Sequence, residues 1–296
     1  MESLLTELGL GSLTLVHSLS HQVYLGPDVV LKVIDADRHT RLDREIALAP
    51  DLPAGITAPL LSSGLHTLDG REVRYACYTR MPGSPPGWGL PGLDARAACS
   101  LAEQAVQRLG RLHTWTPPDR AADVLRQPLD HGGFAGRDAL LTLLDDLAAA
   151  DDDSVVPPPL LNGLTAIAAN APSHAGTGVP VHADCHWGNW LATGDRLTAL
   201  LDFEWARFGE PLDDWFFVIS LSGPHRNAVL DVVARETAIS PGDLRAACEV
   251  RHATYLASDI LLALTAPGDV PPTLLSDRRT GLEELVNDRS WRRSGR

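Results

Sequence analysis

The sequence predicts an α+β fold in two unequal lobes: a small β-rich N-lobe over residues 1–80, a hinge and linker at 81–87, and a larger helical C-lobe over 88–296. Three observations predict it. Short apolar and β-branched runs crowd the first third, and helical periodicity dominates after residue 94. Between them lies a turn-rich stretch without period, Met81-Pro82-Gly83-Ser84-Pro85-Pro86-Gly87.

Leu13–Val16, Gln22–Tyr24 and Val29–Ile34 read as strands, separated by Ser/His and Gly-Pro-Asp turn signals. Over 37–49 the period changes. Leu42, Ile46 and Leu48 fall among Arg41, Asp43, Arg44 and Glu45, which predicts a short amphipathic helix ended by Pro50. Strands resume at 58–63 and 72–79. Helices are expected near 94–115, 138–149, 159–169, 226–237, 241–266 and 280–288. A β-like island, Val179–His182, Trp190–Ala192 and Leu197–Phe203, sits among them, and Asp151-Asp152-Asp153 with Pro157-Pro158-Pro159 marks 150–160 as a loop.

The 296 residues, 44% apolar and 21% charged, suffice for a buried core. No apolar run approaches the roughly 18–20 residues of a membrane span. Acids near the N-terminus, where a secretory signal carries bases, lead to an expected cytoplasmic location. A net charge of −13 argues against nucleic acid or an anionic membrane as partner and is compatible with a cationic small molecule. Cys77, Cys99, Cys185 and Cys248 are far apart, which indicates neither a disulfide framework nor a structural zinc site. Of 25 basic side chains only Lys32 is a lysine. A general arginine bias makes that exception chemically pointed, because an ammonium on a slim stem suits a phosphate oxygen in a narrow site.

The segment Val181-His182-Ala183-Asp184-Cys185-His186-Trp187-Gly188-Asn189-Trp190-Leu191, followed by Leu200-Leu201-Asp202-Phe203-Glu204-Trp205, carries the chemistry. Two acids and an amide converge there if the short strands pair as a hairpin through Thr193-Gly194-Asp195. Phosphoryl transfer needs such a set: one carboxylate for the attacking hydroxyl, a second and an amide oxygen for Mg²⁺.

His182-x-Asp184-x4-Asn189 with Leu201-Asp202-Phe203 resembles the catalytic loop and metal-binding aspartate of the aminoglycoside phosphotransferase/choline kinase-like family, whose fold is protein-kinase-like. Gly209-Glu210-Pro211-Leu212-Asp213-Asp214 resembles that family's Gly-Asp-Pro-x-x-Asp element, with Glu210 replacing an aspartate. The resemblance implies Asp184 as catalytic base, Asn189 and Asp202 as magnesium ligands, and His182 and Asp214 as structural supports. It places Lys32, on the strand Val29–Ile34, against ATP phosphates and paired with Glu45. Ser18-Leu19-Ser20-His21-Gln22-Val23-Tyr24 stands where the nucleotide-covering loop belongs, without G-x-G-x-x-G; Ser20 is its expected contact. Tyr78-Thr79-Arg80-Met81-Pro82-Gly83 resembles the hinge, so the backbones of Thr79 and Met81 are expected on the purine edge.

The implied activity is ATP- and Mg²⁺-dependent phosphorylation of a hydroxyl, first on an aminoglycoside or other hydroxylated antibiotic. An amino alcohol, amino sugar or nucleoside is the alternative acceptor, and an inactive nucleotide-binding protein the alternative class. Asp151, Asp152, Asp153 and Glu204 are candidate acidic groups for a cationic acceptor; a solvated loop is the plainer explanation of the triplet, and Asp213, Asp231 and Glu283 are equal candidates. A zinc or iron site on His182, Asp184 and His186 competes for the catalytic loop. Trp187, Trp190 and Trp205 read as packing residues before a stacking platform.

Overall fold

The computed structural model describes residues 1–16, 21–37, 40–129, 133–152, 154–266, 271 and 273–292. It begins with helix α1 (Glu2–Glu7), then strands β1 (Thr14–Val16), β2 (Gln22–Leu25) and β3 (Val29–Asp35), helix α2 (Arg41–Leu48), and strands β4 (Leu60–Leu68) and β5 (Arg71–Thr79). The strands form an antiparallel sheet of order β1-β2-β3-β5-β4, with Lys32 opposite Val23 and Ala76.

Strand periodicity sorts β3 into two functions. Leu31 and Val33 pack beneath α1 with Leu4, Val73, Tyr75 and Cys77. Lys32 and Ile34 point the other way, where Ile34 joins Leu42, Ala58, Ala76 and Tyr78, with Met81 and Leu201 against them. That second face lies toward the C-lobe. α2 is no solvated helix: Arg44 and Glu45 are both buried. The Arg44 guanidinium donates to the carbonyls of Val124 (2.7 Å), Ala206 (3.0 Å) and Gln127 (3.0 Å), stitching α2 to the helical part.

The linker is pinned rather than free. Ser84 and Ala192 exchange backbone hydrogen bonds of 3.0 and 2.9 Å, and the Thr198 hydroxyl donates to Pro82 O at 2.6 Å. Gly83, at φ +105°, lies so close to Ala192 O that an added Cβ would sit 2.3 Å from it, so only glycine suits the position.

Beyond the linker come α3 (Ala95–His113), α4 (Asp119–Arg126), α5 (Arg137–Ala150), α6 (Pro158–Ala169), strands β6 (Val179–Val181), β7 (Trp190–Thr193), β8 (Arg196–Leu200) and β9 (Arg207–Gly209), then α7 (Pro211–Ser220), α8 (Arg226–Thr237), α9 (Pro241–Thr265) and α10 (Leu274–Val286). Asp94 caps α3 by accepting from Ala97 N at 2.8 Å, and Ala98, Leu101, Ala102, Ala105, Leu109 and Leu112 bury one helical stripe. β7 and β8 form the expected hairpin, and β6 pairs with β9.

Several elements depart from expectation. α1, α4, α7 and β9 were not anticipated, and Phe203–Trp205 is a 3-10 turn rather than the end of a strand. In α7 the reason is visible: Trp215, Phe216, Phe217, Val218 and Ile219 are all buried, so the run carries no amphipathic period. The four cysteines are free, three of them buried. Among the described residues no helix is long and apolar enough to cross a membrane.

One titratable group inside the helical core bears on stability. His252 of α9 lies between Phe216 and Trp291, and its Nδ1 accepts from Trp291 Nε1 at 3.1 Å. Burial, with Arg226 and Arg278 nearby, lowers its pKa to about 4. The unfolded chain therefore takes up a proton that the fold excludes. This contribution is fully present above about pH 6.5 and is lost as pH falls toward 4, by up to about 3 kcal/mol. Urea midpoints at pH 7 and 4.5 should differ less in His252→Gln than in the parent chain; an unchanged difference would rule His252 out as the cause.

Candidate active site

The loop after β6 carries Asp184, and Asp214 in the first turn of α7 shapes it. Ala183 adopts φ +65°, an unfavourable value for a residue with a Cβ. Asp214 holds it there. Its Oδ1 accepts from Ala183 N at 2.7 Å and its Oδ2 from His182 N at 3.1 Å, while His113 Nε2 lies 2.8 Å from Oδ2. Burial opposes the Asp214 charge, but the His113 hydrogen bond and charge, with further help from the loop, outweigh it and lower its pKa.

His182, fully buried, has both ring nitrogens engaged. Nδ1 accepts from Asp184 N at 3.2 Å, so the proton resides on Nε2, which donates to Leu201 O at 2.9 Å. It ties the loop to the segment bearing Asp202. A zinc or iron site on His182, Asp184 and His186 is thereby excluded, since His182 has no free nitrogen to coordinate. Trp187 and Trp190 are fully buried anchors, donating to Ser222 Oγ (2.9 Å) and Cys185 O (3.0 Å).

Asn189 donates through Nδ2 to Asp184 O (2.8 Å) and Asp184 Oδ2 (3.1 Å), which leaves its Oδ1 for a cation. Burial, and then the negative charge of Asp202, push the Asp184 carboxyl well above the usual carboxylate range. Asp202 itself occupies the left-handed region at φ +71°, which swings its carboxylate back to Lys32.

Lys32 Nζ donates to Glu45 Oε2 at 2.7 Å and to Asp202 Oδ1 at 2.8 Å. Burial works against its charge, but Asp202 and Glu45 prevail and raise its pKa. For Asp202 burial also acts upward, yet the ammonium and a hydrogen bond from Glu204 hold the carboxyl well below its ordinary value. The structure thus joins Lys32, Glu45 and Asp202 in one bonded cluster and Asp184 with Asn189 in another, near enough for the Asp202 charge to act on Asp184.

Other predicted site residues fall elsewhere. Glu204 is buried beside Asp202, not on an acceptor surface; burial and the Asp202 charge push it up to about 9, which suits a protonated carboxyl donating to Asp202. Its carboxylate, with those of Glu45 and Asp202, forms a group whose ligand atoms lie within 4.8 Å of one another. Asp151 caps the chain after α5, accepting from Val155 N (2.7 Å) and Val156 N (2.8 Å), and neither it nor Asp152 lines the cavity beside Asp184. Both its oxygens are spent on backbone, so it builds no acidic rim. Thr79 spends its N–H on Pro59 O at 2.9 Å, and the Met81 side chain packs against the Ile34, Leu42 and Tyr78 cluster. Ser20 and Asp153 lie outside the described residues.

A cavity of about 320 Å³ opens on Asp184 and His186. Its far wall comes from α9 and α10, where Arg251, Thr254, Asp259 and Arg278 contribute. Sequence reasoning missed these residues. No sequence signal separated them: α9 also carries Asp243, Arg245, Glu249 and His252, and nothing in the sequence tells which of its polar positions face a cavity. Glu210 also finds its explanation here: the longer side chain reaches Arg251 Nη2 while accepting from Gly176 N.

Comparison with known proteins agrees with this geometry. The structure is similar to the GDP complex of wild-type aminoglycoside 2'-phosphotransferase-IIIa, with a TM-score of 0.74 and 18% identity over 97% of both chains. It is also similar to ADP-bound aminoglycoside phosphotransferase APH(2'')-Ib, at TM-score 0.66 and 15% identity over 96% of this chain and 97% of that one. A third likeness is to a thermostable mutant of aminoglycoside phosphotransferase APH(4)-Ia in ternary complex with AMP-PNP and hygromycin B, at TM-score 0.65 and 18% identity over 97% of both chains. The fold is therefore protein-kinase-like. No curated protein matches by sequence. The phosphotransferase enzyme family matches residues 15–249, well over half of the chain and all of the cleft residues above: the protein belongs to that family.

Proposed function

We propose that the protein is an ATP-dependent small-molecule O-phosphotransferase, with residues 1–80 and 88–296 as lobes closing on the nucleotide. The observation that carries this is the pairing of Lys32 with both Glu45 and Asp202, beside the bonded pair of Asp184 and Asn189. Lys32 offsets charge on the α- and β-phosphates, held in aim by Glu45. Asn189 Oδ1 and Asp202 are the oxygens that suit Mg²⁺, and the donor set fits a hard cation. When bound, the metal supplies charge neutralisation at the transferred phosphoryl group. Asp184, facing the acceptor cavity, orients the attacking hydroxyl and takes its proton as the new P–O bond forms. Met81 and Leu201 offer an apolar slot for the base.

The solved neighbours make aminoglycosides and other hydroxylated antibiotics the first acceptors to assay, with amino alcohols, amino sugars and nucleosides beside them. An inactive nucleotide-binding protein is the competing class, and magnesium-dependent, acceptor-stimulated ADP release separates the two. In that assay Lys32→Met should lower kcat/KM for ATP about 10- to 100-fold, as expected for losing a charged hydrogen bond of about 1.5–3 kcal/mol. Unchanged kcat/KM in that variant would overturn the phosphate role of Lys32.

A further inference from the structure

We propose that the acceptor is a neutral or anionic alcohol bearing an aromatic ring, of nucleoside or aryl-alcohol type, and not a polycationic sugar; this rests on the phosphotransferase reading above and narrows it. The cavity beside Asp184 is walled by six aromatic side chains, Trp88, Phe134, Trp205, Phe216, Phe217 and Tyr255. Aromatic faces alone accept sugars as well as flat rings, so the charges decide.

A polycation needs carboxylates with unspent valence. Apart from Asp184, the acids on this wall are Asp213 and Asp259, and both are neutralised within the protein. Asp213 is clasped from two sides, by Arg251 Nε at 2.7 Å and Arg207 Nη2 at 3.2 Å. Asp259 accepts from Arg278 Nε at 2.6 Å. Arg207, Arg251 and Arg278 are therefore balanced by Asp213, Asp259 and Glu210, the last reaching Arg251 Nη2, and none of these carboxylates is left over for a ligand. An incoming polycation would find arginines already seated on these acids and no spare carboxylate on the wall beyond Asp184.

The same arginines retain donors. Among the described residues Arg207 spends Nη2 on Asp213, and Arg278 spends Nε on Asp259 and Nη2 on the Tyr255 hydroxyl. The remaining N–H groups suit a carboxylate, phosphate or carbonyl oxygen on the acceptor. At the mouth Trp88 is 54% exposed, with its ring centroid 5.0 Å from that of His186. An exposed indole beside the reacting carboxylate is well placed to stack a ring whose hydroxyl points to Asp184. A volume of about 320 Å³ lies at the small end of ligand pockets, which run about 300–1,000 Å³, and favours one compact molecule over several linked sugar rings.

The full-length chain with MgATP should be assayed for ADP release with kanamycin, uridine, tyrosol and 4-hydroxymethylbenzoate. The best aromatic acceptor is expected to exceed kanamycin in kcat/KM by at least about 100-fold. Trp88→Ala should raise the KM for that acceptor about tenfold, the scale of one lost stacking contact, and Trp88→Phe should restore it. Kanamycin used as well as or better than every aromatic acceptor overturns the proposal and leaves the phosphotransferase reading intact. So does failure of all aromatic acceptors while magnesium-dependent ATP binding persists. Absence of that binding removes the phosphotransferase reading itself, and this proposal with it.

Discussion

Asp184→Asn is expected to reduce kcat by about 10²–10⁴-fold, the range attributed to a positioned general base, while nucleotide affinity changes little. The substitution keeps size and shape, and an amide oxygen can still accept from Asn189 Nδ2, which bonds Asp184 Oδ2 at 3.1 Å in the parent. What it removes is the ability to take a proton. Burial and the neighbouring charge of Asp202 make the Asp184 carboxylate more basic than an ordinary one, which favours proton transfer from an alcohol. Lys32, Glu45 and Asp202 remain in place, so the phosphates keep their partners. Steady-state ADP release and a fluorescent-nucleotide titration measure the two effects separately. Turnover within threefold of the parent would end the case for Asp184 as base; lost nucleotide binding would assign it to the phosphates instead.

Asp214→Ala should cost about 3–5 kcal/mol of stability, the usual penalty for breaking a buried charged network, and lower Tm by roughly 10 °C in a chain of this size. The carboxylate is wholly buried and accepts from His182 N and Ala183 N, with His113 bonded to it as well. Its loss strands two backbone N–H groups. It also removes the brace that keeps Ala183 at φ +65°, so the loop relaxes and Asp184 leaves its alignment with the cavity. Calorimetry reads the first effect and ADP release the second. A Tm within 2–3 °C of the parent would mean that water or a neighbouring side chain replaces the carboxylate.

These two residues also mark how far the sequence could be read. Asp184, Asn189 and Asp202 could be singled out as candidates because they flank one hairpin within a 19-residue segment whose motifs resemble a known family's, and local spacing is preserved on folding. Lys32 was legible from its solitude among arginines and its place on an apolar strand. α7 was hidden by a run of apolar residues that is buried all round. The acidic run at 151–153 left a solvated loop and an acidic rim both open, because charge in a sequence carries no record of its partners; Asp151 serves two backbone amides.

By itself the sequence determined the α+β order, the strand that presents Lys32 away from the outer core, and the closeness of Asp184 to Asn189, since each follows from periodicity or from contacts within one short segment. Only the tertiary structure decided the acceptor cavity. Arg207, Arg251 and Arg278 meet Asp213 and Asp259 from separate elements, and that mutual neutralisation turns an acidic chain's pocket into one short of free negative charge. Electrostatic pairing depends on distances of a few ångströms between residues here 6 to 38 positions apart, and only the packed chain sets those distances.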